Sequence, residues 1–256
     1  MKDMELMNQV KSWILEAGEF VKAELKKGFS VEEKSGRSDI VTSVDKATEK
    51  LLTEKIRKHY PKDHIIGEEG LGDQVKSTVG RLWVIDPIDG TMNFVKQGEN
   101  FCIMIGIFDE GQPVLGFIYD VMADRFLFGG VNVGVFCNDK KINSVENQTL
   151  GDGVTATNRF MFANNIHGTK DICLESVATR ILGCAGLDFI NVILGKQCAY
   201  LSNLAPWDYA AGIALAKPLG LKYSNLTSDG YDILGERSYF VVATPSAYQS
   251  IKERIF

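Results

Sequence analysis
The chain has 256 residues, which suits one large domain or two intimate halves, and its 45% hydrophobic and 24% charged content is that of an ordinary soluble globular protein. A formal net charge of −5, with no run of basic residues longer than two, argues against a nucleic-acid surface. The longest apolar runs, Phe101 to Phe108 and Val114 to Tyr119, are strand-sized and far below the roughly 20 residues of a membrane-spanning helix.

The start, Met1-Lys2-Asp3-Met4-Glu5, is charged and is not a signal peptide. Leu6, Met7, Val10, Trp13, Ile14, Ala17, Phe20, Val21 and Leu25 recur at three- and four-residue steps and predict one long helix, capped by Gly28. Lys34 to Asp45 reads as a polar loop ending at a helix start. A second helix is predicted from about Val44 to Tyr60, with Val44, Ala47, Leu51, Leu52 and Ile56 inward and Pro61 as its stop. Asp45 falls in its first turn, where the dipole favours a carboxylate. The same position would let it serve a site from behind.

His64-Ile65-Ile66 is a short strand, broken by Gly67-Glu68-Glu69-Gly70. Leu82-Trp83-Val84-Ile85 is a buried strand by its Val/Ile/Trp content, and it runs into Asp86-Pro87-Ile88-Asp89-Gly90-Thr91. Pro87 lacks a backbone donor, so the regular ladder is expected to end there. Phe101 to Phe108, Val114 to Tyr119, Phe126 to Phe128 and Val133 to Phe136 read as antiparallel hairpins joined by turns such as Asp109-Glu110-Gly111. The polar stretch Asn138 to Thr149 is the expected boundary between two halves, 1–143 and 144–256. In the second half Val154 to Thr157 reads as a strand, and Asp171 to Ile181 and Cys184 to Leu194 as helices. Ala199-Tyr200-Leu201 leads to Asp208, an N-cap candidate for a small-residue helix (Ala210, Ala211, Ile213, Ala214, Ala216). A strand from Tyr239 to Ala243 and a helix opened by Thr244-Pro245 close the chain.

Five cysteines (Cys102, Cys137, Cys173, Cys184, Cys198), without a C-x-x-C pair, read as free thiols of a reducing cytoplasm. His59, His64 and His167 are scattered without zinc spacing and read as surface or capping residues.

Two strand ends carry acids, Glu68 and the pair Asp86/Asp89, and taken alone each is also ordinary turn chemistry. If Glu68, Asp86, Asp89 and Asp208 converge, each pair about 4 Å apart repels by about 4 kcal/mol at an effective dielectric near 20. Such a cluster needs protonation or a cation. Oxygen ligands without His or Cys favour Mg²⁺, with Mn²⁺ as a substitute, over Zn²⁺. Mg²⁺ also binds phosphate oxygens, so a phosphate ester is the natural substrate. Gly90-Thr91 supplies a close backbone approach and a hydroxyl for the phosphate and an attacking water.

With these residues in place the chain resembles the inositol monophosphatase family, the lithium-sensitive, Mg²⁺-dependent sugar phosphatases. The resemblance is carried by Gly67-Glu68-Glu69, by Trp83-Val84-Ile85-Asp86-Pro87-Ile88-Asp89-Gly90-Thr91-Met92-Asn93-Phe94 and by Pro206-Trp207-Asp208-Tyr209-Ala210-Ala211-Gly212. Asp39 to Asp45 and Arg180 to Ala185 also correspond, so it spans nearly the whole chain. It implies a layered αβαβα sandwich of the α+β class, with a mainly antiparallel first sheet, a smaller mixed second sheet and a homodimer. Two or three ions are implied, the first on Glu68, Asp86 and the Ile88 carbonyl, the second on Asp86, Asp89 and Asp208, and a third reached by Glu68 through water. Glu68 and Thr91 would orient the attacking water, with Asp45 polarising Thr91, in a direct in-line displacement. The substrate would meet Asp89, Gly90, Thr91, Gly183, Cys184, Ala185 and Asp208.

Two departures from the family pattern bear on substrate. The position seven residues before Asp208, where inositol-specific members carry a glutamate, is Leu201, and Lys217-Pro218-Leu219-Gly220 replaces the usual Glu-x-Gly-Gly. The expected function is hydrolysis of small phosphate esters, with inositol monophosphate as the family default. The alternatives are an NADP(H) or fructose bisphosphate phosphatase, a regulatory protein of transcription complexes, and a nucleotide binder without turnover.

Overall fold
A computed structural model of the chain describes residues 2–37 and 39–255. Met1 and Ser38, part of the predicted charged start and polar loop, lie outside the described residues. Helix α1 (Lys2–Lys27) follows the long apolar repeat. It is followed by a hairpin, β1 (Val31–Gly36) and β2 (Asp39–Thr42), where a loop was expected. Among the described residues its strands pair only with each other. Helix α2 (Ser43–His59) starts at a capping box, in which the Thr42 side chain meets the Asp45 N–H and the Asp45 carboxylate meets the Thr42 N–H.

The main sheet contains β3 (His64–Gly67), β4 (Arg81–Asp89), β5 (Cys102–Asp109), β6 (Gln112–Asp120), β7 (Arg125–Gly130), β8 (Gly134–Cys137) and β9 (Lys140–Ile142), in that spatial order. Only the β3–β4 pair is parallel. Between β4 and β5 lies α3 (Thr91–Gln97). The second sheet has the order β11-β10-β12-β14-β13. Its strands are β10 (Val154–Thr157), β11 (Ala178–Arg180), β12 (Ala199–Leu204), β13 (Lys222–Asn225) and β14 (Ser238–Ala243). β10 is parallel to β11 and β12, whereas β14 is antiparallel to β12 and β13, so this sheet is mixed as expected. Its helices are α4 (Arg159–Ala163), α5 (Thr169–Glu175), α6 (Ala185–Ile193), α7 (Pro206–Ala216) and α8 (Pro245–Ile255).

Strand parity builds the layers. Trp83 and Ile85 of β4, with Ile103, Ile105 and Ile107 of β5, pack against Val10, Ile14, Leu52 and Ile56 of α1 and α2. Leu82, Val84, Cys102, Met104 and Phe108 face the other way, onto Phe189, Ile190, Tyr209, Ala210 and Ala211 of α6 and α7. Those two helices also meet Tyr200, Phe240 and Val242 of the second sheet. The far face of that sheet, with Leu201, Val241 and Ala243, is covered by Met161, Ile172, Ala247 and Ile251 of α4, α5 and α8. The order is helix, sheet, helix, sheet, helix.

Three further expectations are corrected. The predicted helix from Asp171 to Ile181 is shorter: α5 ends at Glu175, and Ala178–Arg180 turns into β11, which pairs with β10. A tertiary ladder outweighs local periodicity there. The strand at Pro87 does not stop but bulges: Asp86 pairs with Met104 and Asp89 with Cys102, so three steps on β4 match two on β5. On α2, Ala47 and Leu51 are only half-buried, while Asp45, Thr48 and Glu49 are fully buried. Of these, Glu49 turns toward the loop after β3 and Asp45 toward Thr91.

Candidate active site
The β4 bulge decides the geometry. In a regular strand Asp86 and Asp89, three residues apart, would point to opposite faces. The extra residue restores parity, because their partners Met104 and Cys102 are two apart and share the face toward α6 and α7. Pro87 sits inside the bulge, where a missing N–H costs no ladder bond. Asp208 arrives on the same side from α7. It is the third residue of that helix rather than its N-cap: Pro206 takes the first position, and the Ala205 N–H donates to Asp208 Oδ2 at 2.8 Å. Carboxylate oxygens of Asp86, Asp89 and Asp208 lie within 4.8 Å of one another.

A cleft of about 370 Å³ opens over this cluster, lined by Glu68, Ile88, Gly90, Thr91, Gly183, Cys184 and Ala185 as well as the three aspartates. All metal and substrate candidates named from sequence therefore line one cavity. Asp45 sits behind it and accepts a 3.0 Å hydrogen bond from Thr91 Oγ1. The Ile88 carbonyl is also 3.0 Å from that hydroxyl. Gly90 has φ +86°, and a Cβ there would meet Cys184 Cβ at 3.0 Å, so both its conformation and its surroundings favour glycine. Asn93 Nδ2 donates to the Asn100 and Leu182 carbonyls, each at 2.9 Å, and so ties the 182–185 turn to α3.

Asp89 is held most tightly. Its Oδ2 accepts from the Gly186 N–H at 2.5 Å and from Cys184 Sγ at 3.0 Å. Burial still raises its pKa, opposed by these donors and by the Ala185 N–H. The start of α6 is thus spent largely on a cluster carboxylate. Burial lifts Asp208 to about 6, against the pull of the Arg237 guanidinium, whose Nη1 is 3.0 Å from Asp208 Oδ2. Burial lifts Glu68 to about 7, with Lys34 opposing at 3.1 Å and the Asp208 charge adding to the rise. Asp86 goes well above the usual carboxylate range through burial and the charges of Glu68, Asp89 and Asp208. Its Oδ1 is buried and has no hydrogen-bond partner among the described residues. Hard oxygen donors, mutual repulsion and an orphaned buried oxygen fit a hard divalent cation.

Several residues escaped the sequence reading, Arg237 beside Asp208 among them. Glu49, one turn beyond Asp45 on α2, accepts from the Glu69 N–H at 2.7 Å and the Leu71 N–H at 2.8 Å, and so shapes the loop that carries Glu68. An acid four residues after Asp45 on an otherwise inward face was its available signal. Asn158 and Ser202 line the cleft and are 2.9 Å apart, and Asp188 lines it from α6. Nothing local marks them. Leu201, expected to replace a glutamate in the pocket, instead packs on the far face of the second sheet. The wall of β12 is formed by Tyr200, Ser202, Asn203 and Leu204.

The same architecture occurs in an IMPase/NADP phosphatase solved with Mg²⁺ and phosphate, with TM-score 0.91 and 26% identity over 99% of this chain and 96% of that one. The structure of an IMPase/NADP phosphatase with NADP and Ca²⁺ matches with TM-score 0.90 and 28% identity over 98% and 95%. Fold and site together define a metal-dependent phosphatase. In sequence, the chain is 36% identical to the inositol-1-monophosphatase of Bacillus subtilis (strain 168) over 97% of its own length and 96% of that protein's. The family model described as "Inositol monophosphatase family" matches residues 3–255, and the chain belongs to that family.

Proposed function
We propose that this protein hydrolyses small phosphate monoesters, inositol monophosphate among them, at the Asp86/Asp89/Asp208 cluster. The observation that carries the reading is the convergence of those three carboxylates within 4.8 Å beside Thr91 and Glu68. Two ions would be held by Glu68, Asp86, the Ile88 carbonyl, Asp89 and Asp208, with Mn²⁺ as substitute and a third reached through Glu68. Bound there, Mg²⁺ would neutralise phosphate charge and lower the pKa of a coordinated water.

The chain's own residues do the positioning. Thr91 has one hydroxyl proton and two acceptors, Asp45 Oδ1 and the Ile88 carbonyl, each at 3.0 Å. Above the Asp45 pKa of about 6, raised chiefly by burial, the carboxylate accepts that proton. A lone pair of Thr91 Oγ1 is then left to accept from a water in the cleft. Glu68, with a pKa of about 7, accepts the water's other proton when ionised. The backbone at Gly90 and Thr91 receives the phosphoryl oxygens, and the turn from Gly183 to Ala185 lines the cleft beside the rest of the substrate. Asn158, Ser202 and Arg237 offer donors to the alcohol side of the ester.

The two halves, 1–143 and 144–256, each contribute to the cleft, the second supplying Asp208. We read the protein as a cytoplasmic homodimer. Exposed Phe160, Leu174, Val177 and Ile181 give the second half an apolar area to cover, and the cysteines are free thiols. Among the described residues no helix is long and apolar enough to cross a membrane.

A second reading, 2′-phosphate removal from NADP(H), is favoured by the NADP-bound structural relative and by the Arg237 guanidinium in the cleft wall. Phosphate release from inositol 1-phosphate, fructose 1,6-bisphosphate and NADP(H), with Mg²⁺ and with chelator, separates the readings. Turnover of none of them in Mg²⁺ would defeat both.

A further inference from the structure
Beside the oxygen cluster stands a second ligand set of different character. Asp89 Oδ2, Cys102 Sγ and Cys184 Sγ form a triangle, with Sγ to Sγ at 3.7 Å, Cys102 Sγ to Oδ2 at 3.6 Å and Cys184 Sγ to Oδ2 at 3.0 Å. A tetrahedral Zn²⁺ with Zn–S of about 2.3 Å and Zn–O of about 2.1 Å sets its thiolates about 3.7 Å apart and each about 3.6 Å from the oxygen. Two edges of the triangle already have these lengths, and only the third must open.

We propose that Asp89, Cys102 and Cys184 bind a soft divalent cation of the Zn²⁺ class, sharing Asp89 with the hydrolytic cluster. Cys184 lines the cleft, which gives the ion an entry path, and Cys102 lies behind it on β5. On binding, each thiol forms a bond to the ion through sulfur and gives its proton to solvent, two protons per ion. The Asp89 carboxylate is the third ligand, and the fourth tetrahedral position stays open to water. The neighbouring carboxylates Asp86 and Asp208 make the place attractive to any cation, and the sulfurs select a soft one. Mg²⁺, which prefers oxygen, leaves this set alone. Binding stands apart from the phosphatase reading. Its consequence, loss of turnover as Asp89 is drawn away from the oxygen cluster, rests on that reading.

The test uses the full chain in excess Mg²⁺ and Cd²⁺ as a spectroscopic stand-in for Zn²⁺. Cd²⁺ is expected to produce an ultraviolet thiolate-to-cadmium charge-transfer band that saturates at one ion per chain. Cys102→Ser and Cys184→Ser should each weaken Cd²⁺ binding by at least about tenfold, with circular dichroism reporting that they remain folded. If Cys184→Ser does not fold, Cys102→Ser decides alone. Zn²⁺ inhibition, measured against each variant's own rate in Mg²⁺, should shift by the same factor. No band in the parent, or an unchanged band in folded variants, overturns the site. A band without inhibition keeps the site and removes its link to turnover.

Discussion
Asp89 has two different oxygens in effect. Its Oδ2 is held by a backbone N–H of α6 and by thiols, which leaves Oδ1 for the cation cluster. Asp89→Asn keeps the shape, removes the charge and places an amide where those donors need an acceptor. Turnover should fall by about 10–100-fold or more, and the rise in melting temperature on adding Mg²⁺ should shrink. Full turnover in this variant would contradict the assignment. Glu49 acts at one remove. Glu49→Ala takes the acceptor from two N–H groups of the Glu68 loop, each hydrogen bond to a buried charge contributing about 1.5–3 kcal/mol. Denaturant unfolding should show a loss of about 2 kcal/mol or more, with a higher Mg²⁺ half-saturation, and Glu49→Gln should be milder because one carbonyl oxygen remains. The backbone at Gly67 runs close beside Glu49, where a Cβ would stand 2.3 Å from the carboxylate.

Helix α7 carries Asp208 to the cluster, and its seat on the main sheet is made of glycines. A Cβ at Gly106 of β5 would lie 2.7 Å from Ala210, and one at Gly116 of β6 would lie 2.2 Å from the Ala211 carbonyl oxygen. The obstacle is helix backbone rather than a flexible side-chain tip, so α7 itself must move. Gly116→Ala is expected to destabilise the fold by about 1–3 kcal/mol in denaturant titration. It should weaken Mg²⁺ binding as well, since lifting α7 lifts Asp208. An unchanged Mg²⁺ affinity in a destabilised variant would mean that the helix start is held independently of its seat. Hairpin β1–β2 reaches the same site from the other side through Lys34, which pairs with Glu68 and Glu69 at 3.1 and 2.7 Å.

Across the molecule the buried carboxylates couple stability to pH. Asp208 and Asp45 rise from 3.8 to about 6 and Glu68 from 4.5 to about 7, each first through burial. Between the ordinary and the raised value the folded protein binds more protons than the unfolded chain. Stability of the metal-free protein should therefore fall as pH rises from about 4 to about 7, the opposite of a protein held by paired carboxylates. Mg²⁺ binds the ionised cluster, so its stabilising effect should be largest at the upper end of that window; a hundredfold excess over the dissociation constant contributes about 2.7 kcal/mol. Thermal melts at several pH values, with Mg²⁺ and with chelator, measure both slopes. A chelated protein that gains stability from pH 5 to 7 would show that other groups dominate.

The acids were legible in the sequence because each ends a strand or opens a helix beside residues that leave few other structures, as in Asp86-Pro87-Ile88-Asp89-Gly90-Thr91 and Pro206-Trp207-Asp208. The long amphipathic helices and the hairpin-rich first sheet were legible for the same local reason, a strong period in apolar residues. What contacts alone decided lies elsewhere. The bulge that puts Asp86 and Asp89 on one face depends on pairing with β5, and β11 exists because β10 offers it a ladder. Leu201 turns away from the cleft because of strand parity in a sheet whose neighbours come from distant parts of the chain. The partners Glu49, Arg237 and Cys102 meet the site through packing between elements, and contacts between residues far apart in sequence leave no periodic trace in the local chain.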